Sequence, residues 1–276
     1  MVNVMELSAR TTALGVEIAW TKLGQGPPVV LVHGFPSNGL LWRNIAPELA
    51  RNHTVYVYDV PGQGRSERRP RMDVSDRFQS EVLADLLRQW QLDRPAIVLH
   101  DIANSYGLGA YYLEGCRFDR VALVSSAVMM PCVTAATLHA KKHIDAYSTM
   151  PLNLYELIAS ARIRSTTFKP MDEATFDAYF TPWKGELGQA LWYNRVAQIS
   201  EAHTEMLQAR LGPLDCPVRI IWGTEDTWIP VAQAHRLRGF VSNADLRLVP
   251  GGGHFVMDDE PEAVTRYLSE FLDRSR

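Results

Sequence analysis

The stretch Ala96-Ile97-Val98-Leu99-His100-Asp101-Ile102-Ala103-Asn104 decides how the rest of the chain is read. Five apolar or ring-bearing residues end at an aspartate, and a helical pattern follows at once over Ser105–Leu113. Short runs rich in Val, Ile and Leu read as strands buried on both faces. A side chain at a sharp strand-to-helix turn is pushed out over the edge of the sheet. The helix beyond it presents amide donors to developing negative charge. An isolated aspartate at a helix start is normally a cap, so the assignment of Asp101 as a reactive group depends on what else the chain supplies. A second register, Ala103-Asn104-Ser105-Tyr106-Gly107, would make Ser105 the reactive residue. The apolar run ends at Leu99–His100, which puts Ser105 inside the first helical turn, beyond the elbow.

The same kind of run recurs at Val29–His33, Val55–Asp59, Val121–Ser125, Val218–Trp222 and Asp245–Val249. Helical periodicity lies between them, at Phe78–Gln91 and Pro261–Phe271. Strand alternating with helix predicts an α/β fold with a mostly parallel, doubly wound sheet. From about Val128 to Gly212 the rhythm breaks into helical patterns such as Leu154–Arg164 and Ala190–Leu207, rich in Tyr, Trp and Met. The expected organisation is therefore a core in two parts, 1–127 and 213–276, with a helical cap at 128–212.

Three further turns complete the chemistry. His33-Gly34-Phe35-Pro36 follows the first buried strand and aims the amide of Phe35, which with that of Ile102 forms an expected oxyanion hole. Gly223-Thr224-Glu225-Asp226 places an acid just beyond a strand, with Asp226 preferred to Glu225. Gly251-Gly252-Gly253-His254 places a histidine beyond the last strand. Asp59-Val60-Pro61-Gly62-Gln63-Gly64-Arg65-Ser66 lacks the spacing of a phosphate-binding loop and reads as a structural turn. His139 and His143 stand four apart without the glutamate and third ligand of a zinc site, so no metal is expected, and no cofactor motif is present.

Composition narrows the partners. The chain has 276 residues, 46% hydrophobic and 21% charged, with a net charge of −3. No basic excess points to nucleic acid, and no apolar run approaches the ~20 residues of a membrane span. Cys116, Cys132 and Cys216 fit no disulfide or metal framework. Met1 to Thr12 is mixed and polar, unlike a secretory signal. The expectation is a cytoplasmic protein acting on a small molecule, apolar or aromatic to suit the aromatic-rich cap, with a homodimer left open.

Together HGFP, DVPGQGRS, HDIAN, GTEDTWIP and GGGHF resemble the α/β-hydrolase superfamily over nearly the whole chain, in the order nucleophile, acid, histidine. An aspartate at the elbow is similar to the branch of epoxide hydrolases and haloalkane dehalogenases. The resemblance implies a catalytic set of Asp101, Asp226 and His254, working through an alkyl ester on Asp101. His33 belongs to the HGxP pattern typical of epoxide hydrolases. Leu191-Trp192-Tyr193-Asn194-Arg195 looks like the cap helix of soluble epoxide hydrolases. There a tyrosine polarises the oxirane oxygen, which implies Tyr193, with Tyr147 as its partner and Tyr155 in reserve. Epoxide hydrolysis to a vicinal diol is the leading expectation. Dehalogenation is the alternative, its halide cradle coming from Trp183 or Trp192, because Ile102 and Phe35 stand where such enzymes usually carry Trp and Asn. An esterase or C–C hydrolase using Ser105, and a ligand-binding relative without turnover, complete the alternatives.

Overall fold

The computed structural model describes residues 5–273, so Met1 to Val4 of the N-terminal reading lie outside the described residues. In chain order the elements begin with β1 (Ala9–Ala13), β2 (Val16–Leu23), β3 (Pro28–Val32), α1 (Ala46–Leu49), β4 (Thr54–Tyr58), α2 (Asp76–Gln89), β5 (Ala96–His100), α3 (Ala103–Leu113) and β6 (Val121–Val124). Six helices follow without a strand: α4 (Ala135–Lys142), α5 (Ile144–Ser148), α6 (Leu152–Arg164), α7 (Glu173–Phe180), α8 (Gly185–Ala197) and α9 (Glu201–Gln208). The chain then returns to the sheet with β7 (Val218–Gly223), α10 (Ala232–Phe240), β8 (Ala244–Val249), α11 (Val256–Asp259) and α12 (Pro261–Leu272). Among the described residues no helix is long and apolar enough to cross a membrane.

The sheet has eight strands in the order β1-β2-β4-β3-β5-β6-β7-β8. From β4 to β8 every neighbouring pair is parallel, while β1 and β2 add an antiparallel edge. Helices cover both faces of the parallel part, so its central strands are buried throughout: Ile97, Val98, Leu99, Leu123 and Ile220 are all inaccessible or nearly so. The chain leaves β3 for β4 on one side and later lays β5 on the other. That reversal opens a crevice at the carboxyl ends of β3 and β5, where ligands of open α/β sheets bind.

Two expectations change. The antiparallel strands β1 and β2 were not anticipated from the sequence. The helical pattern Ala190–Leu207 is two helices, because Ser200 takes extended backbone and its side chain accepts from the amide of His203, capping α9.

The helices between β6 and β7 lie over the carboxyl ends of the strands and are tied there by polar contacts. Trp183 Nε1 donates to Pro36 O at 2.9 Å. Arg195 on α8 pairs with Asp76 on α2 at 2.6 Å. Asp259 accepts from the amides of Phe168 and Lys169 on one side and Gly253 on the other, which fixes the loop that carries His254.

Candidate active site

Asp101 has φ +54°, a left-handed conformation that costs a non-glycine residue roughly 1–3 kcal/mol. The surroundings hold it there. Its amide donates to Val124 O at 3.1 Å, and its carbonyl accepts from Ala127 N and Asn104 N. Asn104 Nδ2 also donates to Asp101 O at 2.8 Å and Leu99 O at 3.2 Å. Asn104, an unusually large residue for this turn, thus satisfies carbonyls that the kink leaves open. Leu99 stands where a glycine is commoner, and space is found for it on the facing helix: a Cβ on Gly107 would come within 2.3 Å of Leu99 Cδ1.

Because β3 and β5 are neighbours, the turn after β3 meets the elbow. The amide of Phe35 donates to Asp101 Oδ2 at 3.0 Å, and the adjoining amide of Ile102 favours the charged carboxylate. Gly34 makes that approach possible, since a Cβ there would lie 2.5 Å from Asp101 Oδ2. The other oxygen, Oδ1, faces His254 Nε2 at 3.4 Å. Asp226 Oδ2 contacts His254 Nδ1 at 2.9 Å, and its second oxygen accepts from the amides of Trp228 and Ile229 at 2.9 and 2.8 Å. His254 therefore carries its Nδ1 proton towards Asp226 and turns Nε2 to Asp101. Trp228 stacks on the imidazole, ring centroids 5.3 Å apart, and the Arg162 guanidinium lies over Trp228 at 3.9 Å.

The protonation states follow from these contacts. Burial alone would lower the His254 pKa, but the charge of Asp226 and the contacts with both carboxylates outweigh it and push it up to about 10. Burial acts to raise the Asp101 carboxyl, yet the His254 contact, then the charges of His254 and His100 and the Ile102 amide, hold it below the ordinary carboxylate value. The resting site is an imidazolium–carboxylate pair.

A cavity of about 30 Å³ opens beside Asp101, room for a water or two. Its wall includes Phe35, Ile102, Trp228, Thr134, Thr137 and Arg195. Several expected substrate contacts lie elsewhere. His33 is fully buried, accepting from Val60 N at Nε2 and contacting Gly34 O at Nδ1, so it braces the turn instead of facing the cavity. Tyr193 and Tyr147 pack on one another, centroids 5.7 Å apart, outside the cavity wall. Tyr155 donates to Trp183 O at 2.8 Å. The reason is helical geometry: Tyr193 and Arg195 are two residues apart, about 200° round α8, so the face that presents Arg195 turns Tyr193 away. Trp192 packs on Phe35 at 4.8 Å behind the wall, and Trp183 is committed to Pro36. Ser105 is buried in α3 and is not part of the wall.

Sequence reasoning missed Arg195, Thr134, Thr137 and the stacking role of Trp228. Trp228 and Arg195 stood inside quoted motifs. The threonines carried no signal beyond the helix cap that Thr134 supplies.

A family model described as "Alpha/beta hydrolase family" matches residues 29–266. The crystal structure of an α/β-hydrolase fold protein from Burkholderia ambifaria is similar at TM-score 0.92 and 36% identity, over 98% of both chains. The haloalkane dehalogenase DatA from Agrobacterium tumefaciens is similar at TM-score 0.81 and 18% identity, over 96% of this chain and 95% of that one. The epoxide hydrolase CorEH is similar at TM-score 0.76 and 20% identity, over 96% and 97% respectively. At such identities the last two speak for the fold alone. The family model and the Burkholderia structure settle the membership, and this chain belongs to the α/β-hydrolase family.

Proposed function

We propose that the chain is a hydrolase that forms an alkyl ester on Asp101 and that its substrates are epoxides. The observation that carries this is the division of labour between the two Asp101 oxygens. Oδ2 is held by the Phe35 amide while Oδ1 faces His254, and Asp101 lines the cavity. A carboxylate is ionised at neutral pH, whereas a serine needs a base before it can attack.

Oδ1 attacks a ring carbon from behind, and the ring C–O bond breaks. The oxygen leaves as an alkoxide still tethered to the product and takes a proton. The donor in this reading is the paired Tyr193 and Tyr147, which stand outside the cavity wall and have to reach the oxygen when a substrate larger than a water enters. The phenolate recovers its proton from the His254 imidazolium. Esterification has by then removed the Asp101 charge that kept His254 protonated, so His254 becomes a base. It draws a proton from water, and the hydroxide adds to the Asp101 carbonyl carbon. The negative charge collects on Oδ2, which the Phe35 amide holds, with the Ile102 amide as the second donor in this reading. One such donor is worth about 3–4 kcal/mol. The alcohol leaves with a proton from His254, and the new carboxyl group returns its own proton to the imidazole.

Dehalogenation is the second reading, favoured by one observation: no tyrosine lines the cavity, and a halide leaves without a proton. The test is a pre-steady-state comparison of Asp101 alkylation by an accepted epoxide in the wild type and in Tyr193→Phe/Tyr147→Phe. A slowing of about 10²-fold or more supports the epoxide reading. A rate within about twofold of wild type favours dehalogenation.

A further inference from the structure

Arg195 is 3% exposed, yet only one of its three nitrogens is engaged: Nη2 pairs with Asp76 Oδ1 at 2.6 Å and contacts the Tyr106 oxygen at 3.2 Å. Nε and Nη1 are buried without a partner. A guanidinium has five N–H groups, so three are unsatisfied. Buried donors on a charged group are costly to leave unmade, and this side chain forms part of the wall beside the nucleophile.

The same wall carries other groups suited to an anion. Thr134 and Thr137 line it, and both hydroxyl oxygens accept from Arg162 Nη2, at 3.1 and 3.4 Å. One of the two hydroxyls donates to the other at 3.0 Å, which leaves a single O–H of the pair to donate into the cavity. Thr134 also caps α4, so the amide end of that helix opens beside the cavity. The negative groups facing Arg195 are Asp76, bonded through one oxygen, and Asp101 across the cavity. An apolar substituent would leave the three N–H groups of Arg195 unmade. A planar carboxylate matches a guanidinium fork and one hydroxyl donor.

We propose that Arg195, with Thr134 and Thr137, receives a carboxylate carried by the substrate, so that the site takes small anionic electrophiles of the oxirane-2-carboxylate type instead of apolar ones. The location rests on the Asp101 reading. The carboxylate assignment does not depend on which bond is broken.

The experiment is calorimetric titration of the wild-type chain with propanoate, propanamide and bromide, repeated on Arg195→Gln. Propanoate should bind at least about tenfold more tightly than propanamide and bromide, and that preference should fall by about tenfold or more in the variant. If circular dichroism shows Arg195→Gln unfolded, Arg195→Lys replaces it, keeping a cation opposite Asp76 but losing the fork; the preference should again fall. Equal binding of amide and acid, tighter binding of bromide, or a preference that survives in the folded variant overturns the proposal. Turnover of oxirane-2-carboxylate against phenyloxirane separates the two readings. Carboxylate preference without epoxide turnover sinks the epoxide reading and leaves Arg195 its role. Turnover of phenyloxirane with no carboxylate preference does the reverse.

Discussion

Oδ1 of Asp101 lies 3.4 Å from Nε2 of His254, and each group sets the protonation of the other. Asp101→Asn keeps the shape and removes the charge. The His254 pKa should then fall from about 10 towards the ordinary imidazole value of about 6.5, with Asp226 alone still raising it. Imidazole NMR titration of the wild type and variant reads this directly. An unchanged pKa would mean that Asp226 alone holds the proton and that esterification of Asp101 does not free His254 to act as a base.

The same shift governs stability. The folded chain binds the His254 proton more tightly than the unfolded chain, whose imidazole has a pKa of about 6.5. The stabilisation is therefore complete below about pH 6.5 and is lost as the pH rises towards about 10. His254→Gln lacks it at every pH. In urea melts the wild type should exceed the variant by a few kcal/mol on the acid side of this window, and the gap should shrink across it. Asp101, with its lowered pKa, adds stability that is lost only as the pH falls below the carboxylate range. A gap that widens between about pH 6.5 and pH 10 would contradict the ion pair.

Gly34 tests the held oxygen. Its missing Cβ would lie 2.5 Å from Asp101 Oδ2 and 2.6 Å from Asp101 Cβ. Gly34→Ala should push the carboxylate off the Phe35 amide while leaving the sheet intact. The expected result is a fall in kcat of about 10²-fold or more, the effect of losing one such donor, with a near-native circular dichroism spectrum. Wild-type kcat would show that the Phe35 amide takes no part.

How far the sequence carried the reading differs between the sheet and the cavity. Ala96–His100 is a strand with the bounds its apolar run implied, because a strand buried on both faces has no polar interruption. The edge strands β1 and β2 carry no buried apolar run, because exposed Arg, Thr, Glu and Lys interrupt buried and half-buried positions over a short span. Asp101, Asp226 and His254 each end or follow a strand, so strand order alone brought them to one edge. The opposite wall of the cavity comes from helices, whose placement no local pattern reports. That is why the Leu191–Arg195 motif points to Tyr193, while Arg195, about 200° further round the same helix, is the residue in the wall.

Oxygen transfer reports directly whether Asp101 is the nucleophile. Excess enzyme is given a single turnover of an accepted substrate in oxygen-18 water, and the product and the peptide containing Asp101 are weighed by mass spectrometry. Attack by the carboxylate delivers a protein oxygen to the product, and water then replaces it at the Asp101 carbonyl carbon. The expected result is product without the heavy isotope and the heavy isotope in Asp101. Heavy oxygen in the product, with the Asp101 peptide unlabelled, would show that water attacks the substrate directly and would contradict it.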